Sequence, residues 1–186
     1  RYCRVTGVQT CALPICKYLT VDAAKTIVCS LVLSRLDYCN SIRSGSPKCL
    51  IQKLQRVQNT AARITLRMPR THHTTPLLRM LYWLPIPSRI AYKIDSLCHT
   101  ALTTAYPKYL SELLNVYTPA RRLRSSLDPN ILKIAAARTK SCGQRAFSYQ
   151  GPINWNRVPG SIRTVEEKDT FKRHLKTAIF SAECLR

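Results

Sequence analysis

Residues 48–67, KCLIQKLQRVQNTAARITLR, carry the clearest helical pattern in this chain of 186 residues. Apolar side chains recur there at steps of four and three, which is the spacing of one face of an α-helix. The stripe consists of Leu50, Leu54, Val57, Ala61 and Ile64. Pro47 suits the first turn of such a helix, because the N–H that proline lacks would have no partner there. The pattern predicts a helix over 48–67 whose apolar stripe faces a core.

Four cations lie beside this stripe, namely Lys53, Arg56, Arg63 and Arg67. At 100° per residue they fall within about 80° of arc, on one flank of the predicted helix. The stretch from Tyr38 to Ile94 holds ten Lys or Arg and no Asp or Glu, whereas a surface that serves only solubility usually mixes both signs. The four residues are therefore candidate phosphate contacts. A solvated face with snorkelling side chains is the alternative that stays open.

The composition of the whole chain indicates an anionic partner. Thirty Lys or Arg against nine Asp or Glu give a formal net charge of +21. This positive surplus predicts a partner that is a phosphate, an acidic protein or an anionic surface. Hydrophobic residues make up 45% of the chain, which is enough for a packed core. Because no apolar run approaches the roughly 18 residues that span a bilayer, we expect no membrane segment.

Further helices are predicted along the first two thirds of the chain. Thr20 can cap a helix through Leu36 that is apolar on most sides and hence buried. A short helix is predicted over residues 74–81, and Ser88 can cap another long one. Together these patterns predict a mainly α fold, an irregular multi-helix bundle with at most a short strand or hairpin.

The C-terminal part is predicted to return to helix after an irregular stretch. A short strand fits residues 131–134, and a helix over 144–155 is expected to break at Gly151-Pro152. Thr164 and Glu167 have the spacing of a capping box for the last helix. Three aromatic residues are interpreted as core rather than as platforms that stack on bases, namely Phe147, Tyr149 and Trp155.

Residues 116–143 are polar, turn-rich and basic. They divide a helical region at 17–115 from a C-terminal helical region at 144–186, which we expect to pack on the first. Arg121, Arg122 and Arg124 belong to this basic segment and are further candidate phosphate contacts. A mobile linker and an arm that binds a nucleic-acid groove are both consistent with the composition.

Motifs for catalysis or metal binding are missing from the sequence. The nine cysteines are an odd number with no C-x-x-C pair, which favours buried or free thiols over a zinc site. Cys98 with His72 or His73 is a conceivable ligand pair that nothing local supports. The carboxylates are dispersed, and neither a Gly-rich phosphate loop nor a nucleophile elbow occurs. We therefore expect no enzyme activity, no cofactor, no metal and no small-molecule substrate.

Residues 5–15, VTGVQTCALPI, resemble the translation of a common sequencing-library adapter. They show neither a helical nor a strand period, and they lack the compact apolar core of a signal peptide. We therefore expect residues 1–16 to be an adapter-derived, disordered artefact that takes no part in the fold or the function.

Several stretches together resemble one family of mobile elements. The stretches are LVLSRLDYCNSI (31–42), LIQKLQRVQNTAARI (50–64), HTTPLLRMLYWLPIPSRIAYKI (73–94), PKYLSELLNVYTPARRLRSS (107–126), QRAFSYQGPINWNRVP (144–159) and DTFKRHLKTAIF (169–180). They are similar to the region after the polymerase core in LINE-type, non-LTR retrotransposon reverse transcriptases, most of all in the jockey and chicken-repeat branch. Arg122 and the alanines at 135–137 depart from the pattern expected of that family.

The resemblance implies a helical fragment from the thumb side and C-terminal end of an RNA-directed DNA polymerase. In that family the catalytic aspartates lie upstream of the matching part, so no catalytic residue is carried over. The implied role is sequence-independent binding of RNA or DNA backbone, with the upstream reverse transcriptase core as a partner if the full element is expressed. The alternative is a helical scaffold that docks onto the missing polymerase core and has no activity of its own.

Overall fold

The structure is a computed structural model that describes residues 18–118, 130–139 and 142–184. It confirms the mainly α fold class. Among the described residues the only β pairing is one isolated antiparallel bridge between Val116 and Leu132, so the strand predicted at 131–134 is reduced to a single bridge. None of the described helices is long and apolar enough to cross a membrane. The predicted artefact at 1–16 lies outside the described residues.

Helices follow one another along the described chain, with short connections. They are α1 (Val21–Val28), α2 (Ser34–Asp37), α3 (Lys48–Thr65), α4 (Thr74–Met80), α5 (Ile86–Thr104), α6 (Lys108–Ser111), α7 (Phe147–Trp155), α8 (Gly160–Arg163) and α9 (Lys168–Cys184). A π-helical turn at Cys29–Leu33 joins α1 to α2, and 3-10 turns lie at Asn40–Arg43 and Gly143–Arg145.

The chain divides into two compact units. Unit 1 comprises residues 1–40 and 47–89, and unit 2 comprises residues 41–46 and 90–186. The chain passes between the units at 40/41, 46/47 and 89/90, and the last of these boundaries falls inside α5. The division of the sequence at 116–143 stays a prediction.

Unit 1 is built around α1, α3 and α4. As predicted, Thr20 caps α1, because its hydroxyl oxygen accepts the N–H of Ala23 at 3.4 Å. The helix predicted at 74–81 is α4, and its apolar side enters the core. The buried cluster consists of Ala24, Val28, Val32, Leu33, Ala61, Ala62, Leu77, Leu78, Leu81 and Trp83.

Unit 2 is built around the second half of α5 with α7 and α9. Trp155 and Phe171 are almost fully buried, with ring centroids 5.8 Å apart. The indole N–H of Trp155 donates to the carbonyl of Asn130 at 2.8 Å, so Trp155 is a core residue, as interpreted, and is no platform for bases. Phe147 and Tyr149 are half-buried.

Two predicted features of the helix ends are wrong. α5 begins at Ile86, so Ser88 lies in its first turn and does not cap it. α9 begins at Lys168, and the Thr164 hydroxyl donates to the carbonyl of Ser161 at 3.1 Å instead of forming a capping box. Thr164 is instead the C-cap residue of α8, and Ser88 lies after Pro87 inside α5. The spacing of capping residues does not show either position.

The helix predicted to break at Gly151-Pro152 is continuous. Pro152 lies inside α7, where its missing N–H removes one helical hydrogen bond. Gly151 is buried and close to other side chains. A Cβ at this position would lie 3.2 Å from Cys98 Sγ and 3.4 Å from Leu114 Cδ2. The glycine is therefore a point of close packing and not a helix end.

Candidate nucleic-acid interface

Helix α3 carries the basic residues that the sequence singled out, but it buries a different face from the predicted one. Its buried residues are Gln58, Ala61, Ala62 and Thr65. Leu50 and Val57, which belong to the predicted stripe, are 48% and 43% exposed. At 100° per residue the buried face is turned by about 70° from the centre of the apolar stripe. The prediction that the whole stripe faces the core is wrong.

Two glutamines account for this rotation. Gln58 donates its amide N–H to the carbonyl of Leu84 at 2.8 Å, and Gln55 Oε1 accepts the N–H of Ile86 at 2.8 Å. These backbone groups belong to the corner before α5, where Pro85 and Pro87 have no N–H to offer. Gln58 shares the Leu84 carbonyl with Arg89 Nε, which donates to it at 3.0 Å, whereas Gln55 is the partner of the Ile86 N–H. Because a buried N–H without a partner is costly, α3 turns its amides, rather than its leucines, toward the corner.

Sequence reasoning missed this pair of glutamines. Their spacing of three places them on one side of a helix, but nothing local distinguishes them from a solvated pair. The amide of Gln55 also donates to Gln58 Oε1 at 3.0 Å and to Asn59 Oδ1 at 2.8 Å. The contact with Leu84 spans 26 residues of chain, beyond the reach of any periodic pattern.

Three of the four candidate cations lie on the solvent side of α3. Lys53 and Arg56 are exposed and Arg63 is half-buried. On a helical wheel the mean direction of these three lies about 180° from the mean direction of the four buried residues. The rotation of α3 toward the corner therefore turns its cations directly outward, which the predicted flank position did not anticipate.

Arg63 also has a structural contact. Its Nε and Nη2 atoms donate to the carbonyl of His72 at 3.3 and 3.1 Å. The guanidinium thus ties α3 to the connection before α4. Because the acceptor is a neutral carbonyl, the group keeps its positive charge and further N–H donors.

Arg67 lies off the helix. α3 ends at Thr65, and Arg67 has a left-handed backbone with φ of +55°. Its Nη2 donates to the carbonyl of Leu19 at 2.5 Å. The prediction that all four cations share one helical arc is therefore wrong for Arg67, because the helix predicted over 48–67 ends two residues before it.

The charge of unit 1 is strongly unbalanced. Its described residues contain ten Lys or Arg and two Asp. One of these acids, Asp37, forms an ion pair with Arg89. The other, Asp22, lies in the first turn of α1, where the helix dipole favours a carboxylate. Neither acid belongs to α3, so the positive field at its solvent side is not neutralised from within the helix.

The remaining sequence candidates are three further cations and a conceivable pair of metal ligands. Arg121, Arg122 and Arg124 lie outside the described residues. Among the described residues there is no group of three His, Cys, Asp or Glu that could hold a metal ion. Cys98 is buried in unit 2, and burial raises the pKa of its thiol, which makes it a poor metal ligand because the thiolate is the ligating form.

Comparison with known proteins identifies no relative of this chain. Neither a family model, nor a curated protein, nor a solved structure matches this chain.

Proposed function

We propose that this chain is a non-catalytic C-terminal fragment of a LINE-type reverse transcriptase, and that it binds RNA or DNA backbone through the solvent side of α3. The resemblance of six stretches supports the ancestry. The observation that carries the binding activity is the position of Lys53, Arg56 and Arg63 opposite the buried face of α3, on a unit with ten basic and two acidic residues.

The geometry suits a row of phosphates and not a single anion. Lys53 and Arg63 are ten residues apart, which is about 15 Å along a helix at 1.5 Å per residue. A nucleic-acid strand carries one charge for roughly every 3.4 Å of duplex axis. Arg56 lies between the two ends, so the three cations can meet several phosphates of one strand. Contacts of this kind bind without reading the bases.

The salt dependence of binding tests this proposal. Affinity of the full chain for a labelled single-stranded RNA is measured at several salt concentrations, for the wild type and for a Lys53→Ala/Arg56→Ala variant. Each phosphate contact contributes about 0.7 to the slope of log affinity against log salt on a single strand. The double variant is expected to flatten the slope by about 1.4.

A matched control removes the same charge elsewhere. Lys93 and Lys108 are exposed cations of unit 2 to which we assign no contact with nucleic acid. Lys93→Ala/Lys108→Ala is expected to leave the slope nearly unchanged. If both double variants flatten the slope equally, net charge and not the α3 face drives binding, and the proposed interface is wrong.

The alternative is a scaffold that docks onto a polymerase core. The observation in its favour is the exposure of Leu50 and Val57, which lie next to the cations on the wheel of α3. Leu50→Gln/Val57→Thr is expected to weaken co-purification with a LINE-type polymerase core if docking is the role. The same variant should keep the affinity for RNA, because it removes no charge.

A further inference from the structure

The α3–α4 loop (residues 67–73, RMPRTHH) is a second exposed and basic segment of unit 1. Every residue of this loop is exposed. It contains Arg70 and the adjacent pair His72 and His73, and it holds no acid. Because the loop begins two residues after α3 ends, it continues the basic surface of that helix along the chain.

Main-chain hydrogen bonds hold the loop in place. At its start, the N–H of Met68 donates to the carbonyl of Arg63 at 2.9 Å. Near its end, the N–H of His72 donates to the carbonyl of Pro69 at 3.2 Å, which closes a tight turn. A loop that is fixed in this way presents its side chains to a ligand at a small cost in conformational entropy.

Arg63 joins the loop to the α3 interface. Its guanidinium donates to the carbonyl of His72 at 3.3 and 3.1 Å. Only a few covalent bonds separate the imidazole of His72 from that carbonyl, so the ring lies within about 10 Å of the guanidinium, which is the Debye length at 0.1 M salt. A strand whose phosphates meet Arg63 is therefore also within electrostatic range of His72.

The charged groups around the loop are mostly cations. α3 contributes Arg63, and α4 contributes Arg79. Through a contact of Arg67, the loop also lies near the start of α1, which carries Asp22 and Lys25. Neither the loop nor the two helices that it joins contains another acid. These elements therefore offer a protonated imidazole a single carboxylate, whereas a bound strand supplies several phosphates.

Histidine gives such a surface a property that Lys and Arg do not confer. Imidazole is the side chain that changes its charge between pH 5 and 8, whereas Lys and Arg stay charged over that range. A phosphate beside an imidazole favours the protonated form. Binding of a strand at the loop therefore takes up protons, so the affinity rises as the pH falls.

We propose that the α3–α4 loop is the second part of the nucleic-acid interface, in which Arg70 contacts phosphate at every pH and His72 and His73 contact it when protonated. The occupant is the same strand that meets the cations of α3, so this inference rests on the proposed function. It adds a regulation of that site, since the loop makes the affinity for the strand depend on pH.

The salt slope at two pH values tests the role of the histidines. Binding of the full chain to a labelled oligouridylate, whose base does not titrate in this range, is measured against salt at about pH 5.5 and about pH 7.5. Each phosphate contact on a single strand adds about 0.7 to the slope of log affinity against log salt, so the wild-type slope is expected to be steeper by up to about 1.4 at the lower pH.

His72→Gln/His73→Gln is expected to have the same slope at both pH values, and each single variant should lose about half of the wild-type difference. The hydrogen bonds of His72 survive the substitution, because they involve its main chain. Burial raises the pKa of Asp95 to about 7, but this residue is present in all the proteins, so its titration cancels from the comparison.

Matched controls remove the same groups elsewhere. His174 is exposed on α9 in unit 2, and His174→Gln is expected to keep the full pH difference. Arg70→Ala is expected to flatten the slope by about 0.7 at both pH values. Its control is Arg138→Ala, at an exposed position of unit 2, which should leave the slope nearly unchanged.

The failure of this inference and the failure of the proposed function give different results. Wild-type binding that depends on salt, but with one slope at both pH values, would overturn the role of the histidines and leave the α3 interface in place. Equal effects of a loop variant and its control would show that net charge acts, and would also overturn the loop as a contact. Binding that does not depend on salt at either pH would remove the α3 interface and this inference with it.

Discussion

Asp95 is a residue whose buried environment changes its chemistry. It is buried on α5, and its Oδ1 has no hydrogen-bond partner among the described residues. Burial raises the pKa of this carboxyl from 3.8 to about 7, while Arg157 acts in the opposite direction. The folded state therefore holds a proton that the unfolded chain releases above pH 4. Stability falls as pH rises through this window and stays low above about pH 7.

Asp95→Asn is expected to abolish this pH dependence. The variant should be more stable than the wild type at pH 8, by at most about 4 kcal/mol for a shift of this size, and the two should converge near pH 4. Urea denaturation at several pH values measures the difference. Glu112→Gln, at an exposed acid, is the control and should follow the wild type. Parallel curves for Asp95→Asn and the wild type would show that the buried carboxyl stays ionised.

The Gln58 amide allows a second prediction about a single residue. Gln58→Leu keeps the side-chain size but removes the hydrogen bond to the Leu84 carbonyl, and it leaves Gln55 with one acceptor fewer. The Leu84 carbonyl keeps Arg89 Nε and the Gln55 amide keeps Asn59 Oδ1, so we expect a loss of about 0.5–1.5 kcal/mol in the free energy of unfolding. Gln52→Leu, at an exposed position of the same helix, should change stability by less than about 0.5 kcal/mol. A stabilising effect of Gln58→Leu would mean that burial of apolar surface dominates at this face.

In α7 the space beside Gly151 is so small that close packing outweighs the higher helix propensity of alanine. Gly151→Ala should favour the helix by about 1 kcal/mol on propensity alone. Against this, the new methyl group meets Cys98 Sγ at 3.2 Å, and Cys98 is fully buried. Because the sulfur cannot move into open space, we expect a net destabilisation of about 1 kcal/mol.

A double-mutant cycle tests the cause. Cys98→Ala removes the sulfur and costs stability by itself, but in that background Gly151→Ala should be neutral or stabilising. Both effects are measured by thermal or urea unfolding. If Gly151→Ala destabilises both backgrounds equally, the Cys98 contact is not the reason for glycine at this position.

The helices also show which parts of the fold could be predicted from the sequence. The helical period of their apolar residues predicts α3 and α4, because this period reflects local geometry. The rotation of α3 could not be found in this way, because it depends on a hydrogen bond from Gln58 to a carbonyl 26 residues away. The cations at 53, 56 and 63 were identified by charge alone. Their outward direction follows from that distant contact.

At the scale of the whole molecule the basic charge is uneven. The described part of unit 1 has ten basic and two acidic residues, whereas that of unit 2 has twelve and six. Two acids of unit 2 form ion pairs on their own helices, Asp169 with Lys172 at 3.1 Å and Glu112 with Lys108 at 3.9 Å. Unit 1 therefore presents the less compensated surface. This unbalanced charge favours contact with an anionic partner at unit 1, and it prescribes no sequence preference.

This distribution predicts how the full chain should bind single strands. The proposed α3 interface contacts phosphates and not bases, so oligonucleotides of equal length and different sequence should bind with similar affinity. With at least three phosphate contacts, from Lys53, Arg56 and Arg63, the slope of log affinity against log salt is about −2 or steeper. Raising salt from about 50 to 200 mM should then weaken binding by roughly 18-fold or more. Fluorescence anisotropy measures this change directly. Affinity that is constant over this range would contradict a phosphate interface on α3, because every charge-driven contact has to release counterions.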